Sequence, residues 1–317
     1  MTLADLAAAG QLLGRVAMDA EAQGLEMGRI VAVGGHSVLV AGERENSVIK
    51  IPSVLAGRGN VSDPRRRGQG PNRVRQVSPT GPIVLQGVRT QEQAEELLVA
   101  ACDRHETALS VRLPRLLGRR DLAGVPVAIF EYLRGRSLGD AAPLPPAESG
   151  LLIRDVASAL GELHDVFGAH GDIKPDHIFL QGPDRMVKFI DPLSHPHWLG
   201  SVGYMLGWHR SAGPDDEEAR GLRDLGALVA IIAEMHGGDV GWDGGLVYLL
   251  ANRGNGRFGR GLDFDRVRDD LRKGLSEVPS RLQSWAMEMG ERYLDHIEGG
   301  GIPDKGYCRG KLKELAN

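Results

Sequence analysis

The run His170-Gly171-Asp172-Ile173-Lys174-Pro175-Asp176-His177, followed by Lys188-Phe189-Ile190-Asp191-Pro192, carries side chains whose types and spacing suit phosphoryl transfer. Moving a phosphoryl group from a nucleotide needs one carboxylate that accepts or orients the attacking hydroxyl. It needs a second that holds the divalent cation neutralising the transferring phosphate. Asp172 and Asp191 are spaced to be these two. The apolar run Val187-Lys188-Phe189-Ile190 reads as a strand delivering Asp191; an ordinary Asp-Pro turn is the other reading of that residue.

Residues 151–166 have the apolar period of an amphipathic helix and lead directly into the His170 loop. Upstream, residues 30–33, 38–40 and 47–51 read as strands, the first two joined by Gly34-Gly35-His36-Ser37 and the third ended by Pro52. A backbone that approaches phosphates closely needs glycine and free N–H groups. Gly34 and Gly35 meet that need, and equally the need of a plain hairpin turn. Lys50, in Ser47-Val48-Ile49-Lys50, is placed to neutralise phosphates, or else is a solvated strand-end lysine. Residues 90–101 read as a helix capped by Thr90 with Gln93 in its first turn. That helix offers Glu92, Glu95 and Glu96 as partners for Lys50. Glu96 is preferred because Leu97 and Val99 follow it on a plausible core face, Glu95 is next, and a surface helix charge is the alternative for each. Further strands are read at 113–117 and 125–131, and from the His170 loop onward the chain reads as mainly helical, most strongly at 222–235. Strands first and helices second point to an α+β, two-lobed protein.

With 317 residues, 42% hydrophobic and 25% charged, the chain is long enough for two lobes, and its net charge of −4 gives no global reason to expect nucleic acid. Cys102 and Cys308 match no metal spacing, which suits a reduced, cytoplasmic protein. No signal peptide is read, and the apolar run 225–233 is too short to span a bilayer, so no membrane association is expected. Residues 53–82 set Arg58, Arg65, Arg66, Arg67, Arg73 and Arg75 against Asp63 among many Gly and Pro. That composition predicts a mobile basic insertion. An arm for an acidic partner or nucleic acid is its functional reading, and an insertion without a ligand is the preferred one.

On these motifs the chain resembles the eukaryotic-type (Hanks-type) Ser/Thr protein kinases, as a divergent, bacterial-looking member. The His170 run is similar to their H-R-D-x-K-P-x-N loop, and Asp191 stands at the D-F-G aspartate. Ser47–Lys50 is similar to V-A-I-K, and Gly34-Gly35 is a degenerate Gly-rich loop. Gly200-Ser201-Val202-Gly203-Tyr204-Met205 is similar to G-T-x-x-Y-M. The resemblance implies a bilobal fold with a small β-rich N-lobe at 28–132, carrying the 53–82 insertion, and a larger helical C-lobe at 133–317. A helical extension at 1–27 precedes them. It implies ATP with magnesium, or manganese, as cofactors. Asp172 would be the base, Lys174 would stabilise the phosphoryl group, and Ser201 would contact both. Gly34, Gly35, Lys50 and Glu96 would serve the phosphates, while backbone groups of Glu131 and Leu133 would meet adenine. Asp191 and His177 would be the metal ligands. Arg223-Asp224-Leu225-Gly226 resembles the start of the buried helix whose aspartate props the catalytic loop; a surface helix Asp is the other reading of Asp224.

Three departures qualify the resemblance. Gly171 replaces the arginine that pairs with a phosphorylated activation loop, so activity independent of loop phosphorylation is expected. His177 replaces asparagine, and imidazole suits manganese or zinc better than magnesium. Pro192-Leu193 replaces Phe-Gly, and no A-P-E follows. The implied function is Ser/Thr protein phosphorylation. A small-molecule (antibiotic or sugar) kinase sharing His170-Gly171-Asp172, or an ATP-binding pseudokinase, is the alternative.

Overall fold

A computed structural model describes residues 3–33, 37–42, 46–52, 91–108, 112–141, 144–171, 173–182, 185–192, 217–238, 240, 264–298 and 301–317. The 53–82 insertion lies outside them. The described residues fall into two compact units, the first ending at Leu133 and the second continuing from Arg134.

The first unit is built on a five-stranded antiparallel sheet of order β1-β2-β3-β5-β4, with β1 at Ile30–Val33, β2 at Ser37–Ala41, β3 at Ser47–Pro52, β4 at Leu116–Leu122 and β5 at Val125–Glu131. Two-residue alternation gives each strand two faces. One face buries Val38, Val40, Ile49, Ile51, Leu122, Val125 and Val127 against Val16 and Ala20 of helix α1, Leu3–Ala22. The other sets Ala128 and Phe130 against Leu98 and Cys102 of α2, Gln91–Ala108. The sheet is therefore covered on both faces. At the far end of α1, the Asp19 carboxylate accepts the Ala123 N–H at 2.6 Å, tying the helix to the β4–β5 turn.

Strand β4 begins three residues later than the sequence suggests and runs through Arg119, Arg120 and Asp121. Among the described residues it is an edge strand paired only with β5, so polar side chains are tolerated. Arg119 is held there by Asp103 at 2.8 Å and Glu106 at 3.1 Å, both on α2.

The second unit contains α3 (Leu138–Ala141), α4 (Pro146–Phe167), α5 (Glu217–Met235), α6 (Phe264–Gly274), α7 (Ser280–Glu298) and α8 (Tyr307–Ala316). It is mainly helical but also holds strands, of which the sequence had suggested one, at 187–190. Short strands β6 (Gly135–Ser137), β7 (Ile178–Gln181) and β8 (Met186–Phe189) form a second antiparallel sheet of order β6-β7-β8. Strands β6 and β7 are too short, and too weakly alternating, to be read locally.

Helix α5 is buried almost all round, with Leu222, Leu225, Leu228, Val229, Ile231 and Ile232 inaccessible, as befits a central core helix. At Gly226 a Cβ would lie 2.6 Å from the Tyr293 ring, so only glycine lets α7 pack so closely. Helix α4 starts with proline in its first turn and stops at Gly168, whose φ of 75° is readily adopted by glycine.

Candidate functional site

In the first unit, Lys50 lies opposite Leu39 and Ala128 in the sheet, and so on the face covered by α2. It is half-buried. It acts on the Cys102 thiol from there: burial pushes that thiol up, and Arg119 and Lys50 pull against it. On α2, Glu96 is exposed, whereas Glu95 is half-buried. The Gln91 amide explains the difference, because its Nε2 donates to Glu95 Oε1 at 2.9 Å and to the Pro52 carbonyl at 3.0 Å. Glu95 thus lies on the side of the helix that is fastened to the Lys50 strand. Gly34 and Gly35 lie outside the described residues.

At the end of β5, the Glu131 N–H donates to the Arg115 carbonyl at 2.8 Å, and the Tyr132 N–H to the Asn46 carbonyl at 3.0 Å. The Glu131 carboxylate in turn accepts the Arg115 N–H at 3.2 Å. Leu133 follows, buried.

In the second unit, Asp224 is 1% exposed. Its Oδ2 accepts the His170 N–H at 2.6 Å and its Oδ1 accepts the Gly171 N–H at 2.9 Å. His164 Nε2 also meets Oδ2 at 2.9 Å. A carboxylate only accepts, so that nitrogen carries the proton. Hydrogen bonds from three donors offset the desolvation of this buried carboxylate. The backbone geometry fits the residue types, since Gly171 takes φ 84°, a region open to glycine.

The His170 ring, itself fully buried, donates from Nε2 to the Ile190 carbonyl at 3.1 Å. The Ile190 N–H donates to the His177 carbonyl at 3.0 Å. The residue before Asp191 is thus fixed on both sides. Asp191 itself has φ 54°, a left-handed conformation uncommon for a residue with a side chain. Such strain is kept where surrounding contacts over-determine it, often at functional sites. Lys174 is half-buried and extended, directly before the short 3-10 turn Pro175–His177, and His177 is buried. The structure therefore gathers His170, His177 and Asp191 around one loop, with Lys174 on that loop. Asp172 and Ser201 lie outside the described residues.

Sequence reasoning passed over His164. A polar residue in the last turn of a helix whose buried face also holds Leu160 and Leu163 was the available signal. Among the described residues no helix is long and apolar enough to cross a membrane, and no group of three or more His, Cys, Asp or Glu side chains is arranged to hold a metal ion.

Residues 64–169 match the APH phosphotransferase enzyme family. The chain is similar to the Serine/threonine-protein kinase PknG of Mycolicibacterium smegmatis (strain ATCC 700084 / mc(2)155), 33% identical over 135 residues. That stretch is 40% of this chain and 17% of the relative, so the chain spans under a fifth of the relative's length. Among solved structures it resembles the PpkA-294 apo form, with a TM-score of 0.52 and 12% identity over 92% of this chain and 96% of that one. It also resembles a variant of the Mycobacterium tuberculosis PknI kinase domain, with a TM-score of 0.48 and 15% identity over 93% and 96%. The five-stranded sheet, the helix-rich second unit and the first of these structural likenesses together show a divergent protein kinase-like fold of the α+β class.

Proposed function

We propose, from the premise of that fold, that the chain is an ATP-dependent phosphotransferase acting on Ser or Thr hydroxyls of a protein. The observation that carries the reading is the Asp224 carboxylate, which holds the His170 and Gly171 amides, the two residues that precede Asp172 in the chain. Preorganising a loop in this way removes a reorganisation cost at the moment of reaction.

In this reading the γ-phosphoryl group passes to the acceptor oxygen, ADP leaves, and the hydroxyl proton goes to the Asp172 carboxylate. Lys174 neutralises charge on the transferring group, with Ser201 beside both. Lys50 faces the phosphates of the nucleotide, and Glu95 is the residue we assign to orient it, in place of Glu96, because Glu96 is exposed. Gly34 and Gly35 offer backbone donors to the phosphates, while the Glu131 carbonyl and the Leu133 main chain offer hydrogen bonds to adenine.

A divalent cation fits the donor chemistry of the Asp191 carboxylate, on a residue of left-handed backbone, and of the buried His177 imidazole. When bound it supplies charge neutralisation to the phosphates. An imidazole in that position favours manganese over magnesium. The two free buried thiols suit a reducing, cytoplasmic setting.

A small hydroxylated acceptor is a second reading, favoured by the match of residues 64–169 to the APH phosphotransferase enzyme family. The deciding experiment follows labelled γ-phosphate from ATP, with magnesium and separately manganese, to the protein itself, to a generic basic protein and to small polyols and aminoglycosides. Asp172→Asn and Lys50→Met are the controls. Label on protein that both substitutions abolish supports the protein reading. Label on small acceptors alone replaces it with the second, and ATP binding without transfer to any acceptor sinks both.

A further inference from the structure

Helices α4, α7 and α8 of the second unit enclose a groove of about 600 Å³. Its lining includes Leu282 and Trp285 of α7, Leu315 of α8, and Ala147, Gly150 and Leu151 from the first turns of α4. The indole is pinned, because its Nε1–H donates to the Lys311 carbonyl at 3.0 Å. Leu151 stands 64% exposed at the edge, a large apolar side chain facing water. None of these residues belongs to the phosphotransfer machinery assigned above.

The charges at the groove decide what suits it. Its carboxylates, Glu288 and Glu314, are both engaged by Lys311, at 2.6 and 3.0 Å. Arg154 and Arg281 also line the groove, and among the described residues neither is joined to a carboxylate. An apolar floor with two available guanidinium groups matches a ligand that offers apolar side chains together with carboxylates. Apolar patches rimmed by polar groups mark interaction sites, and guanidinium forks pair with carboxylates bidentately.

We propose that this groove docks an acidic amphipathic segment of a partner protein. Apolar side chains of the segment lie on Leu282, Trp285 and Leu315, and its carboxylates pair with Arg154 and Arg281. A peptide offers several carboxylates spaced along one face, which two separated arginines can use together. A fatty acid offers one.

The test uses the full chain and a fluorescently labelled, helix-forming peptide with leucine and glutamate at helical spacing, read by anisotropy. A second peptide carries lysine for every glutamate, and a long-chain fatty acid serves as competitor. The acidic peptide is expected to bind at least about tenfold more tightly than the basic one, and Arg154→Glu combined with Arg281→Glu to weaken it by at least about tenfold. Both arginines are exposed, so an unchanged melting temperature is expected and is measured on the same sample. Leu151→Glu is the second variant and is expected to weaken the acidic peptide too. Equal binding of the two peptides, no binding of either, or binding that survives charge reversal overturns the proposal. Fatty-acid binding that is lost on charge reversal, without peptide binding, replaces it with a lipid site. Phosphate transfer to a generic basic protein is expected to be unchanged in these variants, so failure of the docking reading and failure of the phosphotransfer reading are told apart.

Discussion

Asp224 and His170, 54 residues apart in sequence, are joined by a 2.6 Å hydrogen bond from the His170 main-chain N–H to the Asp224 carboxylate. The same carboxylate takes the next amide, Gly171, and the His164 imidazole. The shape of the loop before Asp172 is thereby set by a core helix rather than by the loop's own sequence. Asp224→Asn keeps the volume but turns an NH₂ group toward one of these donors. Losing charge-assisted bonds and leaving a buried donor unpaired costs about 2–3 kcal/mol. Urea denaturation is expected to show that loss, with phosphate transfer reduced at least about tenfold. A midpoint equal to wild type would mean that the brace contributes nothing.

Glu95 and Glu96 are neighbours on α2 with different surroundings. Glu95→Gln is expected to lower transfer about tenfold through loss of Lys50 orientation, and Glu96→Gln to leave it unchanged. The reverse pattern would restore Glu96 as the partner. Both variants should melt within about 0.5 kcal/mol of wild type, since neither side chain is fully buried.

His177 is buried and its carbonyl accepts the N–H of Ile190, the residue before Asp191. Replacing its imidazole with an amide, His177→Asn, should raise the ratio of magnesium-supported to manganese-supported transfer. Identical metal profiles for the variant and wild type would remove His177 from the ligand set.

Helix α1 covers the sheet face opposite α2, and Val16 is inaccessible there. Truncation to alanine leaves a void beside Ile49 or its neighbours, costing about 1–3 kcal/mol. Thermal melting of Val16→Ala is the check, and an unchanged midpoint would show that α1 rests on the sheet without stabilising it.

Cys308 sits against Gly221, and burial, followed by Glu218, pushes its thiol well above its ordinary 9.0. Cys102 is shifted the same way, chiefly by burial. A thiol raised in the folded state stays protonated after its unfolded counterpart ionises. Stability is therefore fully present below pH 9 and falls as pH rises above it. Alkylation at neutral pH should be slow for the folded protein and rapid in denaturant; rapid labelling of the folded chain would contradict the burial of both thiols.

Much of the site could be read from local order. The helix delivering the His170 loop, the strand carrying Lys50 and the strand ending at Glu131 all show the apolar period of their element. Periodicity of that kind is set by neighbours two, three or four residues away. The β6-β7-β8 sheet was harder to read, because Gly135–Ser137 has no alternation of its own and gains its partner, Phe179 to Gln181, only on folding.

The sequence by itself determined which side chains are candidates for the chemistry and the order in which they arrive. Glycine at 171, the Asp191 carboxylate after an apolar strand, and Lys50 within an alternating strand are all local facts. Tertiary structure alone decided which acid of α2 lies on the sheet side, that α1 covers the outer face, and that Asp224 is a brace rather than a surface charge. The physical reason is burial. A carboxylate acquires a structural role when packing removes it from water and supplies donors from distant segments, and no residue's own neighbours encode that.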